Sequence, residues 1–213
     1  PKELPIAGEG AGIHVLHTMG DFFDIEAQLV QHQPKRAAIV GAGYVGIEMA
    51  EALTRRDVSV TLVQRGSEVL STVEPDLGAS VHDALTDNGV TVLTDETITE
   101  IQATEAGYHL IGSTTDDTFD FVLVVVGVRP NSELLVNAGA TVTDQNAVVV
   151  DDQMRTNLPD VYAAGDLVQT KHRLLGATYL PLGTTAHKQG RVAGANIVGR
   201  ESHFAGIIGS QVL

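Results

Sequence analysis

Apolar residues in this chain fall into short runs separated by stretches of helical spacing. Ala37–Val40 and Val58–Val63 predict strands, and the unbroken run Phe121–Val126 has the pattern of a strand buried on both faces. Tyr44–Arg56 carries Val45, Met49, Ala52 and Leu53 at helical spacing. Pro75–Asn88 repeats the pattern with Leu77, Val81 and Leu85, and Asn88-Gly89 ends it. Val90–Leu93 then predicts a further parallel strand, and Thr97–Thr104, Gly107–Ile111 and Thr118–Asp120 a meander with polar turns. Ahead of these lie a loop around Gly8, Gly10 and Gly12, a short strand Ile13–Leu16 and a helix Asp21–Gln31 with Phe22, Ile25 and Leu29 on one face. Gln33-Pro34-Lys35 marks a boundary, because proline disfavours helix in the residue before it. The last third predicts strands at Ala147–Val150 and Val161–Ala164, broken at Gly165-Asp166. A helix follows from Gly183 to about Val198, with Ala186, Gly190, Ala193 and Gly194 as small residues for close contact.

Between the first of these strands and its helix stands Gly41-Ala42-Gly43-Tyr44-Val45-Gly46. In such a unit the first glycine permits a tight turn and the second lets backbone approach a pyrophosphate. The third lets helix and strand pack closely, and the helix N-terminus offers N–H groups and a positive dipole end. A lone motif of this kind is weak, but here it sits inside a complete βαβ unit.

Composition narrows the picture. The chain has 213 residues, 43% hydrophobic but only 4% aromatic, which suits an α/β protein built on Val, Ile, Leu and Ala. No apolar run approaches the roughly 20 residues of a membrane span, and a net charge of −14 disfavours nucleic acid and anionic membrane surfaces as partners. Cysteine is absent, which removes disulfides, zinc–thiolate sites and thiol mechanisms from this stretch and fits a cytoplasmic protein. His14 and His17 project to opposite faces of a strand and make no metal site.

Four motifs in order, GAGYVGIEMAEAL, VVVGVRPN, MRTNLPDVYAAGD and YLPLGTTAHKQGRVAGANIVG, resemble the pyridine nucleotide-disulfide oxidoreductases. Within them the chain is similar to the branch holding coenzyme A-disulfide reductase, NADH oxidase and NADH peroxidase. The resemblance implies a Rossmann-like NAD(P)-binding domain, a parallel sheet plus β-meander, inserted into a partial FAD-binding domain. Residues 33–129 would be the NAD(P) domain, with 1–32 and 130–213 belonging to the flavin domain. It implies cofactor contacts at Gly41, Gly43, Tyr44, Val45, Gly46 and Gly127, with Tyr44 and Glu48 near the nicotinamide. Gly165 and Asp166 would meet the flavin's ribityl chain, and the helix N-terminus at Thr184-Thr185 its pyrimidine edge. Read without the family, Tyr44 is equally an exposed loop tyrosine, Glu48 a helix-surface charge, Asp166 a turn aspartate, and Thr184-Thr185 an ordinary cap.

Departures from the pattern carry information too. Where a Rossmann unit for NAD places an acid at the end of the second strand, this chain has Gln64, followed by Arg65-Gly66-Ser67. Arg65 can pair bidentately with a 2′-phosphate and Ser67 can add a hydrogen bond, so NADP is favoured over NAD; the alternative is Arg65 as a solvated loop cation. The family's opening glycine motif and its redox cysteine are missing, and Gln211-Val212-Leu213 stops where a dimerisation domain would start. The chain is therefore expected to be an internal piece of a homodimeric flavoprotein, holding FAD weakly and inactive alone. The parent would pass hydride from nicotinamide to FAD and on to a disulfide, peroxide or oxygen. A reductase for a ferredoxin or rubredoxin, or a non-catalytic NAD(P)-binding module, are the competing readings.

Overall fold

The computed structural model describes residues 13–209, so the loop expected at Gly8, Gly10 and Gly12 lies outside the described residues. The chain divides into two units, residues 1–127 and 128–213.

In the first unit, β1 (Ile13–His14), α1 (Met19–His32), β2 (Arg36–Val40), α2 (Tyr44–Thr54), β3 (Ser59–Val63), α3 (Pro75–Asp87) and β4 (Thr91–Leu93) alternate as strand and helix. A meander β5 (Ile98–Thr104), β6 (Gly107–Gly112) and β7 (Asp116–Phe119) follows, then β8 (Phe121–Val124). The parallel sheet runs in the order β1-β8-β2-β3-β4, and β5-β6-β7 form a separate antiparallel sheet.

Period-2 alternation builds three layers. Ala37 and Ile39 of β2, Val60 and Leu62 of β3, and Phe121 and Leu123 of β8 face the helices and pack with Ile25, Leu29, Ala50, Leu53 and Leu85. Their neighbours Ala38, Val40, Val63, Val122 and Val124 face the meander and pack with Ile98, Ile101, Leu110 and Phe119. The lead-in joins this unit: β1 pairs with β8, and α1 buries Ile25 and Leu29 in its core. Helix α1 starts two residues before the expected Asp21, because Thr18 and Asp21 form a capping box. Asp21 N donates to Thr18 Oγ1 at 3.1 Å, and Thr18 N to Asp21 Oδ2 at 2.8 Å.

The second unit contains α4 (Glu133–Asn137), the hairpin β9 (Thr170–His172) and β10 (Gly176–Thr178), and α5 (Gly183–Ile197). The strands expected at 147–150 and 161–164 are only isolated bridges, Val148 to Val142 and Val168, and Tyr162 to Arg155. Left-handed residues at Asn146, Met154 and Asp160 bend the chain around each run, leaving too few extended residues for a ladder. The apolar pattern there reports burial instead: Val148 and Ala163 share a core with Ala140 and Val168. The hairpin and α4 had no periodic signal. Gly190 and Gly194 of α5 meet no atom within 4 Å of where a Cβ would stand, so among the described residues they make no close contact.

Candidate functional site

The glycine loop lies at the carboxyl end of the parallel sheet, between β2 and α2. Gly41 adopts φ +112, and a Cβ there would sit 2.5 Å from the Val125 carbonyl oxygen, just past β8. A Cβ on Gly46 would overlap the Gly41 carbonyl oxygen, so the third glycine lets the helix lie against the loop. Gly43 differs: among the described residues no atom lies within 4 Å of its Cβ position, and Gly43 is exposed. No side chain caps α2, and the first ladder bond reaching the loop is Ile47 N to Gly43 O at 3.0 Å. Among the described residues nothing accepts from the N–H groups of Tyr44, Val45 and Gly46, which stand at the positive end of the helix dipole.

Beside this loop, at the end of β3, the Gln64 side chain turns inward. Its Oε1 accepts from Ala42 N at 3.4 Å and its Nε2 donates to Glu68 O at 3.3 Å, while Leu70 N donates to Ala42 O at 2.9 Å. The Glu68 carboxylate bonds Val69 N and His82 Nδ1, each at 2.8 Å, tying the segment to α3. Arg65 and Ser67 point to solvent, and Arg65 makes no ion pair among the described residues. Half-buried Tyr44 accepts a long 3.5 Å bond from Thr72 Oγ1; Val45 is 39% exposed, and Glu48, one helical turn beyond Tyr44, is exposed. Gly127, φ +95, is exposed beyond β8 at the same sheet end. The structure thus gathers Gly41, Gly43, Tyr44, Val45, Gly46, Gln64, Arg65, Ser67 and Gly127 at one edge, the crevice where open parallel sheets bind ligands.

Sequence reading missed Glu96. It is 2% exposed, and its carboxylate accepts from Thr114 N, Thr114 Oγ1 and Thr115 N in the turn joining β6 to β7. Burial pushes its carboxyl up, but the Thr114 hydroxyl and the two N–H groups outweigh this and hold it below the ordinary value. Asp117, bonded to Arg36 and Thr118 N, is likewise lowered. A carboxylate with a lowered folded value adds stability that is complete above its unfolded value and lost as pH falls through the folded one. The melting temperature is therefore expected to hold from neutral pH to about pH 5 and to fall steeply below roughly pH 4. Melts across that range check it, and a flat profile down to about pH 3 would contradict it.

In the second unit, Gly165 (φ +91) and Asp166 pack beside the first turn of α5. A Cβ on Gly165 would lie 3.5 Å from Ala186 Cβ, and Gly165 N donates to Gln189 Oε1 at 2.9 Å. Gln189 is wholly buried and its Nε2 donates to Thr170 Oγ1 at 3.1 Å. The Tyr179 hydroxyl donates to Asp166 O at 2.8 Å, leaving the exposed Asp166 carboxylate without a partner in the described residues. No side chain caps α5; Thr184 is exposed and Thr185 buried, and both line a groove of about 390 Å³ with Arg173 and Lys188.

No helix among the described residues is long and apolar enough to cross a membrane. Comparison with known proteins agrees with the α/β architecture. An NADH oxidase of Methanocaldococcus jannaschii is 34% identical over 98% of this chain and 47% of its own length. A NAD-dependent persulfide reductase from A. fulgidus superimposes with a TM-score of 0.92 at 32% identity, covering 99% of this chain and 40% of that one. An engineered water-forming NADPH oxidase bound to NADPH, a mutant of the Lactobacillus brevis NADH oxidase, gives a TM-score of 0.92 at 26% identity, covering 100% and 47%. Its substitutions include an aspartate changed to alanine, with the next two residues changed from alanine to arginine and from methionine to serine. The chain spans about half the length of the curated relatives it matches. The profile described as pyridine nucleotide-disulphide oxidoreductase matches residues 1–190, nearly the whole chain. With that match and the Rossmann-like sheet that carries the glycine loop, the chain belongs to the pyridine nucleotide-disulphide oxidoreductase family.

Proposed function

We propose that the chain supplies the nicotinamide-nucleotide site, and part of the flavin site, of a flavin-dependent NAD(P)H oxidoreductase. The glycine loop carries this reading: its first and third glycines are filled by protein, while the second faces an open space beside uncommitted N–H groups. That arrangement fits a pyrophosphate, held by the N–H groups of Tyr44, Val45 and Gly46. Glu48 and Tyr44, one turn apart on α2, would border the nicotinamide. In the second unit, the free Asp166 carboxylate suits a diol and the uncapped N-terminus at Thr184-Thr185 an electron-rich ring edge. In this reading the nucleotide domain takes in β1 and α1 together with residues 33–129, and a flavin-domain segment follows at 130–213. When bound, the two cofactors supply hydride transfer from nicotinamide to flavin, and onward reduction of a disulfide, peroxide or oxygen.

The nucleotide preferred is NADP. Gln64 places no negative charge beside a ribose phosphate and spends its amide on Ala42 and Glu68, whereas the Arg65 guanidinium is exposed and, among the described residues, unpaired. The engineered NADPH oxidase shows the same order of chemistry, an uncharged residue followed by arginine. Arg65→Ala is expected to weaken NADPH binding by tenfold or more, corresponding to about 1.5–3 kcal/mol for charge-assisted bonds, and to leave NADH binding within about twofold. Fluorescence titration with both nucleotides checks this; an unchanged affinity ratio would sink the preference.

A further inference from the structure

Arg65 has no partner at its guanidinium end among the described residues, but the carbonyls on both sides of it are engaged. Gln64 O accepts from Glu96 N at 3.0 Å and Gly66 O from Asp95 N at 2.9 Å. The segment that donates these bonds is itself clamped. The Glu96 carboxylate accepts from Thr114 N at 3.0 Å, from Thr114 Oγ1 at 2.5 Å and from Thr115 N at 3.4 Å. A Cβ on Gly112 would run into Glu96 Oε1, so the β6–β7 turn is shaped around that carboxylate. Ser113 N to Thr97 O at 3.0 Å closes the same junction.

A buried carboxylate is a costly way to join two loops, since an apolar side chain would fill the space without desolvating a charge. What the carboxylate adds is direction. Three donors converge on it from one turn, and the backbone it belongs to grips the residue on each side of Arg65. A side chain mounted on a fixed backbone loses less freedom when it binds, and that gain is confined to ligands the side chain touches.

The geometry points to Glu96 as a positioning residue for 2′-phosphate recognition: through Asp95 and its own N–H it fixes the Gln64–Gly66 loop that presents Arg65. The inference rests on the assignment of Arg65 to the 2′-phosphate. Glu96→Gln keeps the shape but turns one acceptor into a donor facing an N–H group. Thr114→Val removes the hydroxyl donor from the other side and serves where Glu96→Gln lowers the yield of folded protein.

The test uses the full chain, with NADPH and NADH titrations, 2′,5′-ADP competition and thermal melts on each variant. Glu96→Gln is expected to weaken NADPH and 2′,5′-ADP about five- to tenfold while NADH stays within about twofold, with a smaller change of the same sign for Thr114→Val. In the Arg65→Ala background, Glu96→Gln should no longer alter the NADPH/NADH ratio, because its effect passes through Arg65. A folded Glu96→Gln or Thr114→Val with an unchanged ratio, while Arg65→Ala changes it, overturns the positioning role alone. Equal losses for both nucleotides with a lowered melting temperature overturn it in favour of a purely structural role. An unchanged ratio in Arg65→Ala overturns the Arg65 assignment and this inference with it.

Discussion

Gly41→Ala is expected to cost about 2–5 kcal/mol of stability and to abolish measurable nucleotide binding at micromolar concentrations. Two effects add. At φ +112 a side chain is strained whatever room surrounds it, and the new Cβ would stand 2.5 Å from the Val125 carbonyl oxygen. Neither can relax cheaply, because the obstacle is backbone and Val125 N is itself bonded to Val40 O at 2.9 Å. Gly43→Ala is the matching control. Gly43 has φ −83 and, among the described residues, nothing within 4 Å of its Cβ position, so the fold should tolerate the methyl while a phosphate approaching that face should not. Urea denaturation and NADPH titration of both variants separate the two roles. A Gly41→Ala protein with the parental midpoint and affinity would refute the assignment.

Gln189→Leu is expected to destabilise the second unit by about 2–4 kcal/mol. Gln189 is wholly buried, and its amide serves Gly165 N and Thr170 Oγ1 together. Leucine of similar volume takes this partner from buried Thr170 Oγ1 and half-buried Gly165 N. Because Gly165 holds Asp166 beside α5, the proposed ribityl contact loosens as well, so retention of added FAD should fall with the melting temperature. NADPH affinity should stay within about twofold, since every partner of Gln189 lies in the second unit. Differential scanning fluorimetry with flavin-absorbance measurements reads both. Parental melting with parental flavin retention would show that the amide is dispensable.

Periodicity was a good guide wherever burial and secondary structure agree. Strands β2, β3 and β8 could be read from Ala37–Val40, Val58–Val63 and Phe121–Val126 because their apolar runs are buried, and short crossovers set β3 beside β2 and β4 beside β3. The place of β8 between β1 and β2 was not legible, since β8 follows the meander. The glycine loop was legible from its motif between strand and helix, although the Val125 backbone that walls Gly41 is remote in sequence. In the second unit the same reasoning failed, as at Val148 and Ala163, where apolar runs between left-handed bends are buried in a shared core but make only isolated bridges. Gln64 was read as a missing acid, and only the fold shows where its amide goes. Glu96 lies in a polar stretch that reads as a turn; its partners Thr114 and Thr115 are 18 and 19 residues away, beyond any spacing rule.

The contact between Gly41 and Val125 also bears on the order in which the nucleotide site comes into being. The two residues are far apart in sequence, and the strand that brings Val125 into place, β8, is the last of the parallel sheet to be synthesised. A nascent βαβ unit has the motif without the wall that shapes it. Closing so long a loop costs entropy that is recovered only when the full sheet assembles, so binding competence should be acquired late and cooperatively. NADPH would then stabilise the whole first unit by mass action, and a peptide limited to the glycine motif and its two strands should stay unresponsive to it.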